Sequence, residues 1–373
     1  MKVNLHPKKN ILFNAFFLIF IIYSVQAGVG VVGLPRIVYL EAKHDAWISV
    51  LLGGVFVSIV LWFVMMMLKQ YDSADLYGIH VDVFGKWLGN FLSTLYMLYM
   101  SAAFFIIMMN YIEIVQVWIF PNLPTWPLAF VLILIAVYAV YGGIRVIVGV
   151  AFLSVIGTVW LILIQIVALR YSDIAHIFPI MNVDIKHLLK GVKSTTYSMM
   201  GFELILFVYP FIKEKRKAHL YVQLGNAFTT ITFTILTFIS IIFFAEDSLK
   251  NVIWPVISMF KVVKLPNLER FEFIVVSFWM LVILPNLCTY LWAASKGFSR
   301  ILKRKQKWGV WIIALLAFST TFFIKARYQE NEVTDLIAKI GFYAAYCYPI
   351  VLSIIVFVKK RLSRRKKSHA EVP

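Results

Sequence analysis

Ten apolar runs, each long enough or nearly so to cross hydrocarbon as a helix, divide the 373 residues almost end to end. They fall near residues 11–37, 46–68, 92–118, 125–141, 146–169, 192–212, 220–244, 272–297, 308–325 and 334–358. About 20 apolar residues in helical form span the roughly 30 Å of a bilayer core. The runs lack the two-residue alternation of a membrane barrel, so the spans read as helices and the fold class as all-α membrane protein. Composition agrees: the chain is 61% hydrophobic and 14% charged, with a mean hydropathy of +0.84. A water-soluble domain of this length carries more charge. The first run is too long for a cleavable signal peptide and is expected to remain as a span.

The formal charge of +18 is distributed by side. With ten spans both termini fall on one side, which receives 23 Lys+Arg against 5 acids; the opposite side receives 13 against 11. The clusters Lys213–Lys217, Lys296–Lys307 and Lys359–Lys367 all lie on the first side, which the positive-inside rule makes cytoplasmic. The charge is therefore a topology signal, with attraction to the lipid bilayer as a consequence, and no nucleic-acid partner is expected. The chain reads as one polytopic membrane domain: a cytoplasmic N-terminus (1–10), a ten-helix core (11–358) and a basic cytoplasmic tail (359–373). That tail reads either as a solvated lipid anchor or as a dock for a cytoplasmic partner.

Two spans carry their own helix breakers. Span one holds Gly28, Gly30, Gly33 and Pro35 within Gln26–Arg36, QAGVGVVGLPR. Span six holds Gly201 and closes with Pro210. Backbone freed from helical pairing cannot face lipid, because each unsatisfied group costs several kcal/mol. Paired breaks five spans apart match a five-plus-five inverted repeat with a ligand site near the midplane, between broken helices 1 and 6. Glycines that merely permit close helix packing are the competing explanation.

The order of several stretches is more specific. QAGVGVVGLPR resembles the glycine-rich first helix of amino acid–polyamine–organocation transporters. With it come Asp45–Ser49 (DAWIS), Phe84–Gly89 (FGKWLG), Gly201–Pro210 (GFELILFVYP), Ile253–Ser258 (IWPVIS) and Glu269–Glu272 (ERFE). Together they resemble the spore germination protein family, the B subunits of Bacillus-type nutrient germinant receptors, over about residues 10–360. The resemblance implies a LeuT-like fold, a place in the spore inner membrane and a small-molecule germinant. It also implies two protein partners, an A-type membrane subunit and a C-type lipoprotein.

The polar residues inside the spans are the site candidates. Glu203, just past the break in span six, holds a ligand, cation or proton, or pairs with Arg36. Glu113 shares a span-three stripe with Tyr99, Ala103, Ile106 and Asn110, and joins a cavity wall, meets water at the outer end or serves as an ion-pair or proton site. Asn286, beside Pro285 in span eight, is a third wall or an interhelical hydrogen bond. The expected ligand-binding set is Gln26, Gly28, Gly30, Gly33, Ala103, Met200, Gly201, Glu203 and Asn286, with Pro35 and Pro210 as helix-break or gating positions. Trp254 and Pro255 mark a short capping helix or an aromatic anchor, and Glu269 and Glu272 the first turn of span eight. Cys288 and Cys347 lie within spans and form no disulfide framework. The scattered histidines show no HExxH or CxxC spacing, so neither metal, cofactor nor catalysis is expected. A secondary transporter of amino acids or other small organic solutes fits the residues as well as a receptor does.

Overall fold

The computed structural model describes residues 3–264, 266, 269–324 and 327–370, with side chains to Ser363. The last residues of the basic tail, 371–373, lie outside the described residues. Among those described there is no β-strand, only two isolated bridges, Asn4 with Ala74 and Phe13 with Ile212. Span one is α1 (Leu18–Gln26) and α2 (Gly30–Ala42); α3 (Ala46–Leu68), α4 (Leu76–Trp118), α5 (Thr125–Tyr141) and α6 (Ile144–Ile164) are spans two to five. Span six is α7 (Ile185–Ser198) and the helical stretch Phe202–Phe211 around α8 (Ile205–Val208). Then come α9 (Lys215–Phe243), the short α10 (Glu246–Asn251) and α11 (Pro255–Ser258), α12 (Phe271–Leu302) and α13 (Gln306–Thr320). Span ten is α14 (Arg327–Phe342), a π-helical turn Tyr343–Cys347 and α15 (Tyr348–Ala370).

Among the described residues the helices group into ten spans in two halves of five, each half opening on a broken helix. The broken spans sit at the centre: α1 packs on α9, α6 and α12, while α2 packs on α7 and α9. The remaining bulk comes from α4 against α12 and from α3 against α9 and α7.

Three local features are added by the folded chain. Span three begins early, because α4 continues from Asp75 through a turn at Gly85, whose φ of 79° a Cβ would oppose. Span eight runs unbroken through Pro285. The missing proline N–H frees the Leu281 carbonyl one turn back, and the Ser154 hydroxyl of α6 donates to it instead. Span ten carries a third interruption, the π turn, which no Gly/Pro signal at 343–347 announces. A smaller difference is that Glu272 does lie in the first turn of α12, whereas Glu269 precedes it.

Asp45 of the DAWIS stretch shows why an acid opens span two. Its buried carboxylate accepts from the backbone N–H groups of Met181 (2.7 Å), Asn182 (3.1 Å) and Val183 (3.2 Å), pinning the α6–α7 connection. Hydrogen bonds to a charged acceptor contribute more than neutral ones. Asp45→Ala is therefore expected to lower stability by about 2–3 kcal/mol, read as a drop in Tm with faster proteolysis within 178–184. At the basic end, Asp75 caps α4 through the Gly78 N–H (2.9 Å) and pairs with Arg300, while Asp82 lies 3.8 Å from both Lys359 and Lys360.

Candidate functional site

The first break is short. Helix α1 closes as the Ala27 N–H donates to the Tyr23 carbonyl (2.8 Å) and the Gly28 N–H to the Gln26 carbonyl (2.8 Å). Gly30 then opens α2. The interruption therefore occupies 27–29. Gly33 and Pro35, expected in the break, lie inside α2. Gly33 serves packing: a Cβ there would stand 3.3 Å from the Ile253 carbonyl oxygen and 4.0 Å from Trp254, in the IWPVIS connection.

The second break turns on Gly201. Its φ is +112°, and a Cβ would lie 2.2 Å from the Val25 carbonyl oxygen, so the two broken spans meet backbone to backbone. A Cβ on Gly30 would likewise come within 3.1 Å of Ser198, whose hydroxyl donates to the Gly30 carbonyl (3.3 Å). Gln26 completes the bridge. Its amide nitrogen donates to the Met199 carbonyl (3.1 Å) and to Asn226 Oδ1 (3.1 Å), and Asn226 in turn donates to the Gly54 carbonyl (3.0 Å) and Ser58 Oγ (2.8 Å). Nothing in the apolar pattern of span seven singles out Asn226 beyond its being a buried amide.

Glu203 is fully buried behind this junction. One carboxylate oxygen accepts from the hydroxyls of Tyr99 (3.0 Å) and Tyr290 (3.0 Å), the other from the Gly201 N–H (2.7 Å). Three groups converge on this carboxyl and tie α4, α12 and the break together. The sequence reading that allowed Glu203 to pair with Arg36 is corrected: Arg36 Nε donates to the Lys250 carbonyl (2.7 Å), at the α10 connection. Glu113 is not a cavity wall but an ion-pair partner, 2.6 Å from Arg327 Nε at the start of α14. The Arg327 guanidinium also lies over the Trp254 ring, 5.3 Å from its centroid.

A cavity of about 520 Å³ adjoins the breaks. Of the nine expected ligand residues, Gln26, Gly28, Gly30, Ala103, Met200 and Asn286 line it. Gly33, Gly201 and Glu203 do not; Glu203 reaches it only through Tyr99 and Tyr290, which do line it. Asn286 is held by its own donation to the Ser24 carbonyl (2.8 Å), which fixes its amide at the wall. Pro35 and Pro210 are not at the cavity: Pro210 lies at the basic end, its carbonyl accepting from Ser73 Oγ (3.3 Å).

Sequence reasoning missed the contribution of α7 and α14. Ser194, Tyr197 and Ser198 share one face of α7, and Thr334, Asp335, Ala338 and Lys339 one side of α14. The signal was present, since Asp335 and Lys339 are charges one turn apart in a span, and both remain exposed at the cavity mouth. By contrast the stretch Phe202–Phe211 is buried throughout, which closes the cavity toward the basic end. The volume suits a small molecule, and the wall mixes aromatic surface with a few fixed amides and hydroxyls.

Known proteins share this fold. A solved Na+-coupled sialic acid symporter, substrate-bound and outward-open, superposes with a TM-score of 0.69 at 12% identity, over 89% of this chain and 77% of that one. Mhp1, a nucleobase-cation-symport-1 family transporter, superposes with a TM-score of 0.60 at 13% identity, over 93% and 80%. These likenesses establish the LeuT-like transporter fold, with its five-plus-five inverted repeat. In sequence, spore germination protein GerQB of Bacillus cereus is 36% identical over 351 residues, covering 94% of this chain and 97% of that protein. Spore germination protein YndE of Bacillus subtilis is 27% identical over 91% of this chain and 95% of its own length, and spore germination protein A2 of the same organism 22% over 94% and 97%. The family profile described as "Spore germination protein" matches residues 13–332. With paired helix breaks meeting at a cavity, and relatives aligned over nearly its whole length, the chain belongs to the spore germination protein family of multi-pass membrane proteins.

Proposed function

We propose that the chain is the B-type subunit of a spore nutrient germinant receptor, binding a small nutrient such as an amino acid or a sugar in the cavity at the breaks of spans one and six. The observation that carries this reading is the cavity itself, bounded by Gln26, Gly28 and Gly30 on one break and Met200 on the other. A ligand there touches both hinges at once, so any difference in its fit to two hinge arrangements shifts their populations. Tyr99 and Tyr290 link the cavity wall to Glu203 and so to Gly201. The signal passes to an A-type membrane subunit and a C-type lipoprotein, in the spore inner membrane, with both termini cytoplasmic. A secondary transporter is the second reading, favoured by the superposition on the sialic acid symporter.

Ala103→Phe tests the site. Ala103 is buried on the cavity wall, on α4 rather than on either broken span, and a benzyl group in its place occupies ligand space. Spores carrying it are expected to need at least about tenfold more nutrient for half-maximal germination, with Tm changed by only a few degrees. An unchanged nutrient response would move the site elsewhere. Exchanging residues 25–36 and 197–204 with those of a relative answering a different nutrient is expected to transfer the specificity. Energised uptake of labelled solute by the chain alone in liposomes would instead favour the transporter.

A further inference from the structure

A recess of about 660 Å³ lies at the basic end of the molecule, away from the cavity at the breaks. Three stretches of chain form it: the N-terminal segment at residues 5–7 and Leu12, the α3–α4 connection at Asp72 and Ser73, and the link from span six into α9. Backbone hydrogen bonds fix these stretches to one another. The Leu5 N–H donates to the Ser73 carbonyl (2.7 Å), the Phe13 N–H to the Phe211 carbonyl (3.1 Å) and the Lys213 N–H to the Phe13 carbonyl (2.9 Å). The recess therefore sits where the basic ends of the two broken spans meet.

Its lining carries an excess of positive charge. Lys213, Lys215, Arg216 and Lys217 face only two acids, Asp72 and Glu214, with His6 beside them. Lys215 is already engaged: its ammonium donates to the Asp72 carbonyl and lies 5.6 Å from the centroid of the Tyr209 ring. Among the described residues, the side chains of Lys213, Arg216 and Lys217 have no hydrogen-bond or ion-pair partner, and neither Asp72 nor Glu214 forms an ion pair. Helix α9 opens into the same recess without a side-chain cap, since Glu214 at its N-cap position makes no capping hydrogen bond. Its first N–H groups and the positive end of its dipole add to the field of the lysines and the arginine. The rule that puts positive residues on one side of a membrane accounts for the sign of this charge. It does not require that the cations gather, unpaired, in one concavity. There they repel one another, and a bound anion relieves them. The donors on offer are an arginine fork, two ammonium groups and the start of a helix. That set suits a phosphate group, which presents several acceptor oxygens around one centre.

We propose that this recess is a binding site for a phosphate group, carried by an anionic lipid headgroup or by a free phosphate compound. The occupant joins the segment entering span one to the segment leaving span six and to the start of α9. It therefore favours the arrangement in which these ends lie together, and any shift of the broken spans that separates them weakens its hold. This inference rests on the recess alone and holds whether the chain is a receptor or a transporter.

The purified full-length protein tests it through its Tm. Inorganic phosphate, titrated in detergent at constant ionic strength, is expected to raise Tm along a saturating curve if the ligand is soluble. Nanodiscs of phosphatidylglycerol are expected to raise it over nanodiscs of phosphatidylcholine if the ligand is a headgroup. The triple variant Lys213→Gln, Arg216→Gln, Lys217→Gln replaces three exposed side chains and is expected to abolish whichever gain is seen. The triple variant Lys303→Gln, Arg304→Gln, Lys305→Gln removes the same charge from exposed positions outside the recess and is expected to keep it. Arg216→Gln by itself is expected to raise the half-saturating amount of the active probe about tenfold, the equivalent of one charge-assisted contact. A gain from either probe that only the first triple variant loses supports the site and names its source. No gain from either probe, an unchanged half-saturation in Arg216→Gln, or an equal gain in both triple variants overturns it. The last result would reduce the effect to diffuse charge or to salting of the folded state.

Discussion

Gly201→Ala is expected to destabilise the protein by on the order of 4 kcal/mol, a large loss that a clash combined with strain at a buried backbone position can produce. Two effects add. A non-glycine residue at φ +112° is strained by roughly 1–2 kcal/mol. The new Cβ would also sit 2.2 Å from the Val25 carbonyl oxygen and 2.8 Å from its carbon, and backbone on both sides cannot step aside cheaply. The two broken spans must then separate. A drop in Tm of about ten degrees or more, or loss of folded protein from the membrane, is the expected reading. Gly28→Ala is the control, because its Cβ would meet only the Asn286 amide at 3.8 Å and its φ is not positive. That variant is expected to change stability by less than about 1 kcal/mol. Equal effects at the two glycines would show that the contact between breaks is not what Gly201 is for.

Glu203→Leu is the second large effect. The substitution strands the Gly201 N–H and the Tyr99 and Tyr290 hydroxyls, three donors that now share one carboxylate. Each unmatched buried donor costs about 1–3 kcal/mol. The two tyrosines border the cavity, and hydroxyls that turn toward it regain part of this from water, so the net loss is expected to be roughly 2–5 kcal/mol. Glu203→Gln keeps an acceptor oxygen and is expected to cost less than half as much in Tm. Tyr99→Phe and Tyr290→Phe are each expected to cost about 1 kcal/mol in the parent protein and nearly nothing when combined with Glu203→Leu. Additive losses would mean that the tyrosines act independently of the carboxylate.

How much of this was legible before folding depends on the kind of residue. The paired breaks could be placed because a Gly or Pro in an apolar run is anomalous by itself. Gly201 and Gly30 are found at the junction, whereas Gly33 and Pro35 share the same local signal and are absorbed into α2. Local sequence shows that glycine is tolerated there, but not which backbone approaches it. Glu203 and Asn286 were legible as costly polar groups in lipid, and both prove fixed by hydrogen bonds across spans. Charge alone would give Arg36 to Glu203. In the folded chain Arg36 reaches the Lys250 carbonyl, because α2 carries it toward the α10 connection. The π turn in span ten left no trace at all, since its cause is the packing of Tyr346 and Ala344 against neighbouring spans: Tyr346 donates to the Thr196 carbonyl (2.8 Å), and Tyr96 donates to the Ala344 carbonyl (2.6 Å).

The sequence by itself determined the solvent of this protein, the number and order of its spans, the distribution of charge between the two ends and the two helices that break. All of these follow from the free energy of placing single residues in hydrocarbon or water, which is a property of the residue and its near neighbours. Only the tertiary structure decided which residues meet. It set Gly201 on the Val25 backbone, gave the Glu203 carboxylate to two tyrosines rather than an arginine, and brought α7 and α14 to the cavity. Those contacts join residues scores of positions apart, and they depend on how helices cross rather than on what each helix contains.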